Sequence, residues 1–224
     1  MMRHKLIACG LIALSCATAC AHERDGVWTY EWYVPYSLEH EVEFWWTDFG
    51  GGQSDLQLES EYGVDGHYAA SVYALAERDG GDYRVNGWKV EQRYAFGEFA
   101  FNRVLPAAYL EVKRSAGEPY ELEGKWINTY ALPSGLSFSA NLVGEQELES
   151  GHAFEWGYEA MVSHSLPSGA SVAIESFGNL FDSEFFVGPT VGKTLDVGRR
   201  LLAGYAFNTK GGPGRLRFLF EFEF

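Results

Sequence analysis

The stretch Arg215-Leu-Arg-Phe-Leu-Phe-Glu-Phe-Glu-Phe224 decides how the rest of the chain is read. Leu216, Phe218, Phe220, Phe222 and Phe224 share one parity, while Arg215, Arg217, Glu221 and Glu223 share the other. Successive side chains of a β-strand point to opposite faces. This run therefore makes a strand with one hydrocarbon face and one charged face. Leu219 alone breaks the pattern.

The same period recurs through the chain. Trp28, Tyr30 and Trp32 alternate with Thr29, Glu31 and Tyr33, and Val42, Phe44 and Trp46 with Glu41, Glu43 and Trp45. Leu56 and Leu58 alternate with Gln57, Glu59 and Glu61, and Trp88 and Val90 with Lys89, Glu91 and Arg93. Later runs set Ala108, Leu110 and Val112 against Tyr109, Glu111 and Lys113, and Leu136, Phe138, Ala140 and Leu142 against Ser137, Ser139 and Asn141. Phe154, Trp156 and Tyr158 face away from Glu155 and Glu159. Runs of about ten residues with turn residues between them are the signature of a membrane barrel.

Thirteen segments qualify as strands: 27–36, 40–49, 54–63, 67–77, 82–95, 104–114, 119–131, 134–146, 152–164, 168–177, 183–193, 199–208 and 214–224. Single-chain bacterial barrels have even strand numbers, so one assignment fails. Segment 27–36 carries Pro35, and 96–103 is too long and apolar for a clean turn. The expected fold is all-β: a closed, antiparallel, up-and-down transmembrane barrel of about 12 strands, with 10 and 14 as the neighbouring even counts. The first segment is expected to be at most partly paired. Tight joins at 37–39, 63–66, 132–135, 166–169 and 196–198 alternate with looser, Gly-rich ones, implying short turns on one rim and longer loops on the other. Leu-Pro-Ser-Gly occurs twice among the tight joins, at 132–135 and 166–169.

The ends and the charge narrow the class further. Residues 1–21 read as a signal peptide, with Arg3 and Lys5 at the start, an apolar run Leu6–Leu14 and the small-x-small site Ala19-Cys20-Ala21. Residues 22–224 then form one barrel domain. Cys9, Cys16 and Cys20 all lie in the signal, which excludes disulfides and thiol chemistry from the remainder. Ala13 and Ala17, rather than Leu, stand three positions before Cys16 and Cys20, which weighs against a lipid anchor. Loss of Arg3 and Lys5 leaves 15 basic against 31 acidic residues, a formal charge of −16. That argues against nucleic acid as a partner and supplies no polybasic patch for anionic lipid.

A soluble β-sandwich or lipocalin-like barrel would also alternate. The aromatic content of 16% favours lipid, with Trp28, Trp32, Trp46, Trp88, Trp126 and Trp156 on the apolar parity as interfacial girdles require. The C-terminal run also resembles the terminal signal by which outer-membrane barrels are recognised for insertion, with Phe218, Phe220, Phe222 and Phe224 at the read positions. Four further pieces resemble a poorly characterised, transporter- or porin-like family of Gram-negative outer-membrane barrels. They are Tyr36-Ser-Leu-Glu-His-Glu-Val-Glu43, Pro106-Ala-Ala-Tyr-Leu-Glu-Val-Lys-Arg114, Glu121-Leu-Glu-Gly-Lys125 and Gly188-Pro-Thr-Val-Gly192. Ser-Leu-Glu-His here departs from the Gly-Leu-Thr-Asp usual at that first turn. The resemblance implies an outer-membrane location, contact with outer-membrane lipid and recognition by the barrel-insertion machinery; it assigns no chemistry.

No catalytic pattern emerges. His164-Ser165 is adjacent in sequence, but neighbours on a strand face opposite ways, whereas a nucleophile and base must meet. His152, with Glu147 and Glu149, reads as a solvated acidic loop rather than a metal site, and His40 and His67 fall at turn edges. Gly188-Pro-Thr-Val-Gly-Lys193 has the wrong spacing for a phosphate loop. The expectation is no enzyme, cofactor or metal.

Function is left to the inward face. By parity it carries Glu31, Glu43, Glu59, Glu61, Glu91, Glu111, Glu121, Glu123, Glu155, Glu159, Glu175, Glu221 and Glu223, with Lys89, Arg93, Lys113, Lys125, Arg200, Arg215 and Arg217. A ring of carboxylates would pass cations. A lumen stitched by Glu–Lys/Arg pairs would be shut. The leading functional expectation is a porin- or transporter-like barrel for small solutes. A closed structural or surface-interaction barrel is the alternative, and an outer-membrane hydrolase the third.

Overall fold

The structure, a computed structural model, describes residues 24–224 apart from 150 and 182. The signal-peptide reading of residues 1–21 lies outside the described residues. Twelve strands run in chain order: β1 (His40–Gly50), β2 (Gln53–Gly63), β3 (Tyr68–Asp79), β4 (Arg84–Ala95), β5 (Val104–Ser115), β6 (Tyr120–Ala131), β7 (Leu136–Glu147), β8 (Glu155–Ser165), β9 (Ala170–Asn179), β10 (Glu184–Asp196), β11 (Arg199–Asn208) and β12 (Arg215–Glu223). Each pairs antiparallel with its neighbours, and β1 closes on β12 from Glu41↔Glu223 to Asp48↔Leu216. No strand edge is left open.

The alternation sorts every strand into an outside and an inside. Phe44, Leu58, Val72, Leu110, Leu142, Ile174 and Phe218 are exposed on the outer wall, and Trp88, Trp126 and Trp156 lie there too. Glu59, Glu61, Glu91 and Glu175 are at most 1% exposed, on the inside. Apolar side chains facing out and carboxylates facing in suit a wall against lipid, not water.

Both chain ends of the barrel meet on one rim, where Phe224 N–H donates to the His40 carbonyl at 2.8 Å. We call this the terminal rim and the opposite one the loop rim. The repeated Leu-Pro-Ser-Gly makes the same turn twice on the terminal rim. Gly135 N–H donates to the Leu132 carbonyl at 3.1 Å and Gly169 N–H to that of Leu166 at 3.0 Å. Proline presets the φ of the second turn residue. Glycine takes the left-handed position, with φ of 85° at Gly135 and 71° at Gly169. In the turn at Gly63–Gly66, Asp65 accepts the N–H groups of His67 and Tyr68 at 2.9 and 2.8 Å, which holds its carboxyl below the usual range.

Two expectations are corrected. Residues 27–36 form no strand, and Trp28 and Trp32 belong to no girdle; they are 6% and 7% exposed inside the barrel. The longest connection, 96–103, lies on the terminal rim and not among the loops. Its Phe99 stacks near Trp32, at 5.9 Å between ring centroids, so the extra length covers the mouth beneath the interior segment.

Ile174 sits midway along β9 on the lipid face, 56% exposed. Ile174→Lys is expected to lower unfolding free energy in lipid vesicles by about 2–4 kcal/mol, as a cation at the bilayer midplane does. The same change at Val197, fully exposed in a rim turn, should shift it by less than about 0.5 kcal/mol. Equal effects at both sites would contradict the lipid-facing assignment.

Candidate functional site: a plugged lumen

Residues 24–35 occupy the space that the barrel encloses. Nearly all are buried although they belong to no strand. A strand threaded through a closed barrel cannot join its ladder, so its backbone groups need other partners. Side chains of the wall supply them. The N–H groups of Val27, Trp28 and Thr29 all donate to the Glu175 carboxylate, at 2.9, 2.9 and 2.7 Å. The Trp32 N–H donates to Thr129 Oγ1 at 2.9 Å, and the Asp25 N–H to Glu31 within the segment at 2.6 Å. Carbonyls are answered likewise. Asn141 donates to Tyr30 O at 3.1 Å, Arg93 to Tyr33 O at 3.2 Å and Arg217 to Val27 O at 2.9 Å.

Apolar packing completes the plug. Tyr30, Trp32 and Val34 pack with Ala69, Ala95, Leu105, Ala107, Tyr109 and Ile127. Val27 and Trp28 pack with Trp45, Phe186, Leu202, Ala206 and Leu219. Each large side chain so buried is worth about 1.5–3 kcal/mol relative to exposure. Small wall residues make room. A Cβ on Gly204 would meet Trp28 and Val27 side-chain atoms at 2.6 Å. The segment enters at the terminal rim, with Tyr36 against Gly63, rises to Trp28 and Tyr30, and returns toward the same rim at Asp25. There Arg200 donates to Asp25 at 2.7 Å, and the Ser163 and Ser165 hydroxyls donate to it at 3.0 and 2.8 Å. Ser165 thus serves the plug, not His164.

The charges singled out in sequence fall into separate zones. Nearest the terminal rim, Glu61 pairs with Arg93, whose Nε lies 3.2 Å from Glu91. Glu59, Glu61 and Glu91 bring carboxylate oxygens within 4.8 Å of one another. Tyr30 of the plug and Tyr73 of the wall both donate to Glu91, at 3.2 and 2.7 Å. Toward the loop rim, Lys89 pairs with Glu111 at 2.8 Å, Lys113 with Glu121 at 3.5 Å, and Lys125 with Glu159 at 2.6 Å and Glu123 at 3.2 Å. Glu221 is buried in the wall, Glu223 closes the β1–β12 register at the terminal rim, and Glu155 is exposed at the loop rim. His152 contacts Glu147 at 2.7 Å in the β7–β8 loop, and Gly188–Lys193 lie within β10.

Between the plug and the loop rim remains a cavity of about 380 Å³. Its charged lining divides. Glu111, Glu121, Glu123, Glu145 and Glu159 stand with their lysines on β4 to β8. Arg215 and Arg217 stand on β12, which lies across the ring from β6, with Arg24 of the plug beside them. A smaller cavity of about 190 Å³ adjoins it and shares Glu145, Glu159, Phe177 and Arg215. Sequence reading placed Arg215 and Arg217 on the inner face but missed Arg24, Asp25 and the aromatic plug. The odd thirteenth segment, with Pro35 at its end, is the signal that marks it.

No protein-family model and no curated protein sequence matches the chain. Solved structures do. The KdgM porin in complex with disordered oligogalacturonate superposes with a TM-score of 0.66 at 7% identity, over 82% of this chain and 99% of that one. The NanC porin gives 0.61 at 10% identity, over 81% and 97%. The outer membrane protein Omp33 of Acinetobacter baumannii gives 0.53 at 10% identity, over 84% and 98%. At such identities the likeness is one of fold: a closed antiparallel barrel shared with outer-membrane porins.

Proposed function

We propose that the chain is an outer-membrane porin- or transporter-like barrel for small solutes, with a pathway gated by its own residues 24–35. The observation that carries this reading is the plug itself. It is held only by hydrogen bonds, ion pairs and packing, and a charged cavity stands over it. A wall built only for stability has little use for such a cavity. Even strand number puts both barrel ends on one rim, and a chain exported to the periplasm keeps its ends there, so the terminal rim faces the periplasm. The barrel-insertion machinery would read Phe218, Phe220, Phe222 and Phe224 on β12. With the plug seated no continuous pathway is expected; with the plug displaced, an acid-rich wall would favour cations. The lumen serves transport here rather than catalysis.

A second reading, a permanently closed structural barrel, draws support from the ion pairs that line the lumen. Truncation separates the two. Deletion of residues 24–35 should turn quiet planar bilayers into ones with discrete, stable, cation-selective conductance, while gel mobility remains heat-modifiable. A folded, truncated barrel that stays silent across a range of voltages would sink the gated-pathway reading.

The latch can be loosened more gently. Glu175→Gln replaces a carboxylate that accepts three backbone N–H groups and the Thr190 hydroxyl. Loss of charge-assisted bonds of this kind should cost the seated plug about 1.5–3 kcal/mol. Channel opening probability should then rise roughly 10- to 150-fold. Unchanged gating in single-channel records would show that Glu175 does not hold the plug.

A further inference from the structure

Within the lumen, lysines and arginines are answered differently. Lys89, Lys113 and Lys125 each have a glutamate within 3.5 Å. Among the described residues Arg217 has no such partner. Its Nε donates to Thr47 Oγ1 and its Nη1 to the Val27 carbonyl, both at 2.9 Å, while Trp28 and Trp45 flank it at 5.7 and 5.6 Å. Arg24, held over Tyr30 and Trp45 at 4.4 and 4.5 Å, donates its Nε to the Gly26 carbonyl at 2.9 Å, and among the described residues its ion pair is the loose one with Glu43, at 4.0 Å. Among the described residues, Arg24 Nη2 and the indole Nε1 of Trp28 are buried with no hydrogen-bond partner. All three residues border the 380 Å³ cavity.

An arginine removed from bulk water is costly without an acceptor, and its planar fork fits a carboxylate with two parallel bonds. A buried N–H left unmade carries a further penalty. Two orphan donors on the plug and, facing them on β12, a guanidinium bonded only to neutral oxygens therefore mark a place for an acceptor-rich anion. The cavity lies in the size range of small-molecule sites. Tryptophan faces beside the arginines offer apolar surface to a carbon skeleton.

We propose that the cleft between the plug and β12 binds a small organic carboxylate, held by Arg24 and Trp28 of the plug and Arg217 of the wall. The proposal rests on reading the barrel as one that handles solutes. Because such a ligand touches both parts, it bridges them. A ligand that binds the seated plug and not the displaced one stabilises the seated state by mass action. The occupant is therefore a latch for the gate as well as a guest.

Calorimetric titration of the full-length mature chain in detergent tests this with three probes of similar size: gluconate, uncharged sorbitol and cationic glucamine. Gluconate should bind saturably, with sorbitol and glucamine weaker by about tenfold or more. Arg217→Gln and Arg24→Gln should each weaken gluconate by a similar factor, with Arg217→Lys retaining part of the affinity. Lys193→Gln, at the terminal rim where Lys193 donates to the Ser168 carbonyl, should leave it unchanged. Heat-modifiable gel mobility verifies that each variant is folded. Should Arg217→Gln fail to fold, Trp28→Phe removes one orphan donor and takes its place. Binding of sorbitol as tight as gluconate, or gluconate affinity indifferent to these substitutions, overturns the site. Conductance of the chain lacking residues 24–35 is read separately. A conducting truncated barrel whose full-length parent ignores gluconate refutes the site and leaves the gated pathway standing; binding by a barrel that never conducts does the reverse.

Discussion

Three consecutive backbone N–H groups, those of Val27, Trp28 and Thr29, converge on the single carboxylate of Glu175, and the state of the lumen depends on that convergence. Inside a closed sheet the ladder is complete and offers a threaded segment nothing. Every donor and acceptor of that segment must find a side chain or lie unsatisfied away from water. Glu175, Thr129, Asn141, Arg93 and Arg217 meet the demand from different strands. The wall is thus built around the segment as a receptor is built around a peptide. Gly204, where any side chain would strike Val27 and Trp28, belongs to the same design.

The plug also gives the lumen charges their division of labour. Near the terminal rim, buried glutamates are bound up with Arg93, Tyr73 and the plug's own Tyr30. Above the plug the charges border an open cavity. The lysines there are committed to glutamates of their own wall, while Arg217 is bonded only to neutral oxygens and Arg24 reaches Glu43 only at 4.0 Å. Charges locked in pairs close a space, and a guanidinium bonded only to neutral oxygens leaves room for an anion, which is the basis of the site proposed above. Both behaviours occur within one barrel, at different depths.

Much of the wall was legible in sequence because lipid on one side and polar interior on the other impose opposite demands on alternate residues. The run 215–224 shows this most plainly, and even Leu219, the exception to its pattern, is explained: it turns inward and packs against the plug. The same parity assigned the charges from Glu59 to Arg217 to the inward side; the structure buries Glu59, Glu61 and Glu91 and leaves Glu155 exposed at the loop rim. What failed was 27–36. Its alternation of Trp28, Tyr30 and Trp32 with polar residues has the period of a wall strand, but period 2 reports only that two faces differ, not what each face touches. Here aromatics and polar groups both meet the interior. Only the even-number rule, set against thirteen segments and Pro35, signalled that one of them had another fate. That Arg24 of the plug and Arg217 of β12 border the same cavity leaves no local trace, since they stand almost two hundred positions apart.

The seated plug is most directly tested by hydrogen exchange on residues 22–224 in lipid vesicles. Amides of Val27, Trp28, Thr29 and Trp32 are expected to exchange slowly, with protection approaching that of the β9 amides that frame Glu175. Free exchange of those four amides, at unstructured-peptide rates beside fully protected strands, would show that the segment does not occupy the lumen. The gate would then have no structural basis.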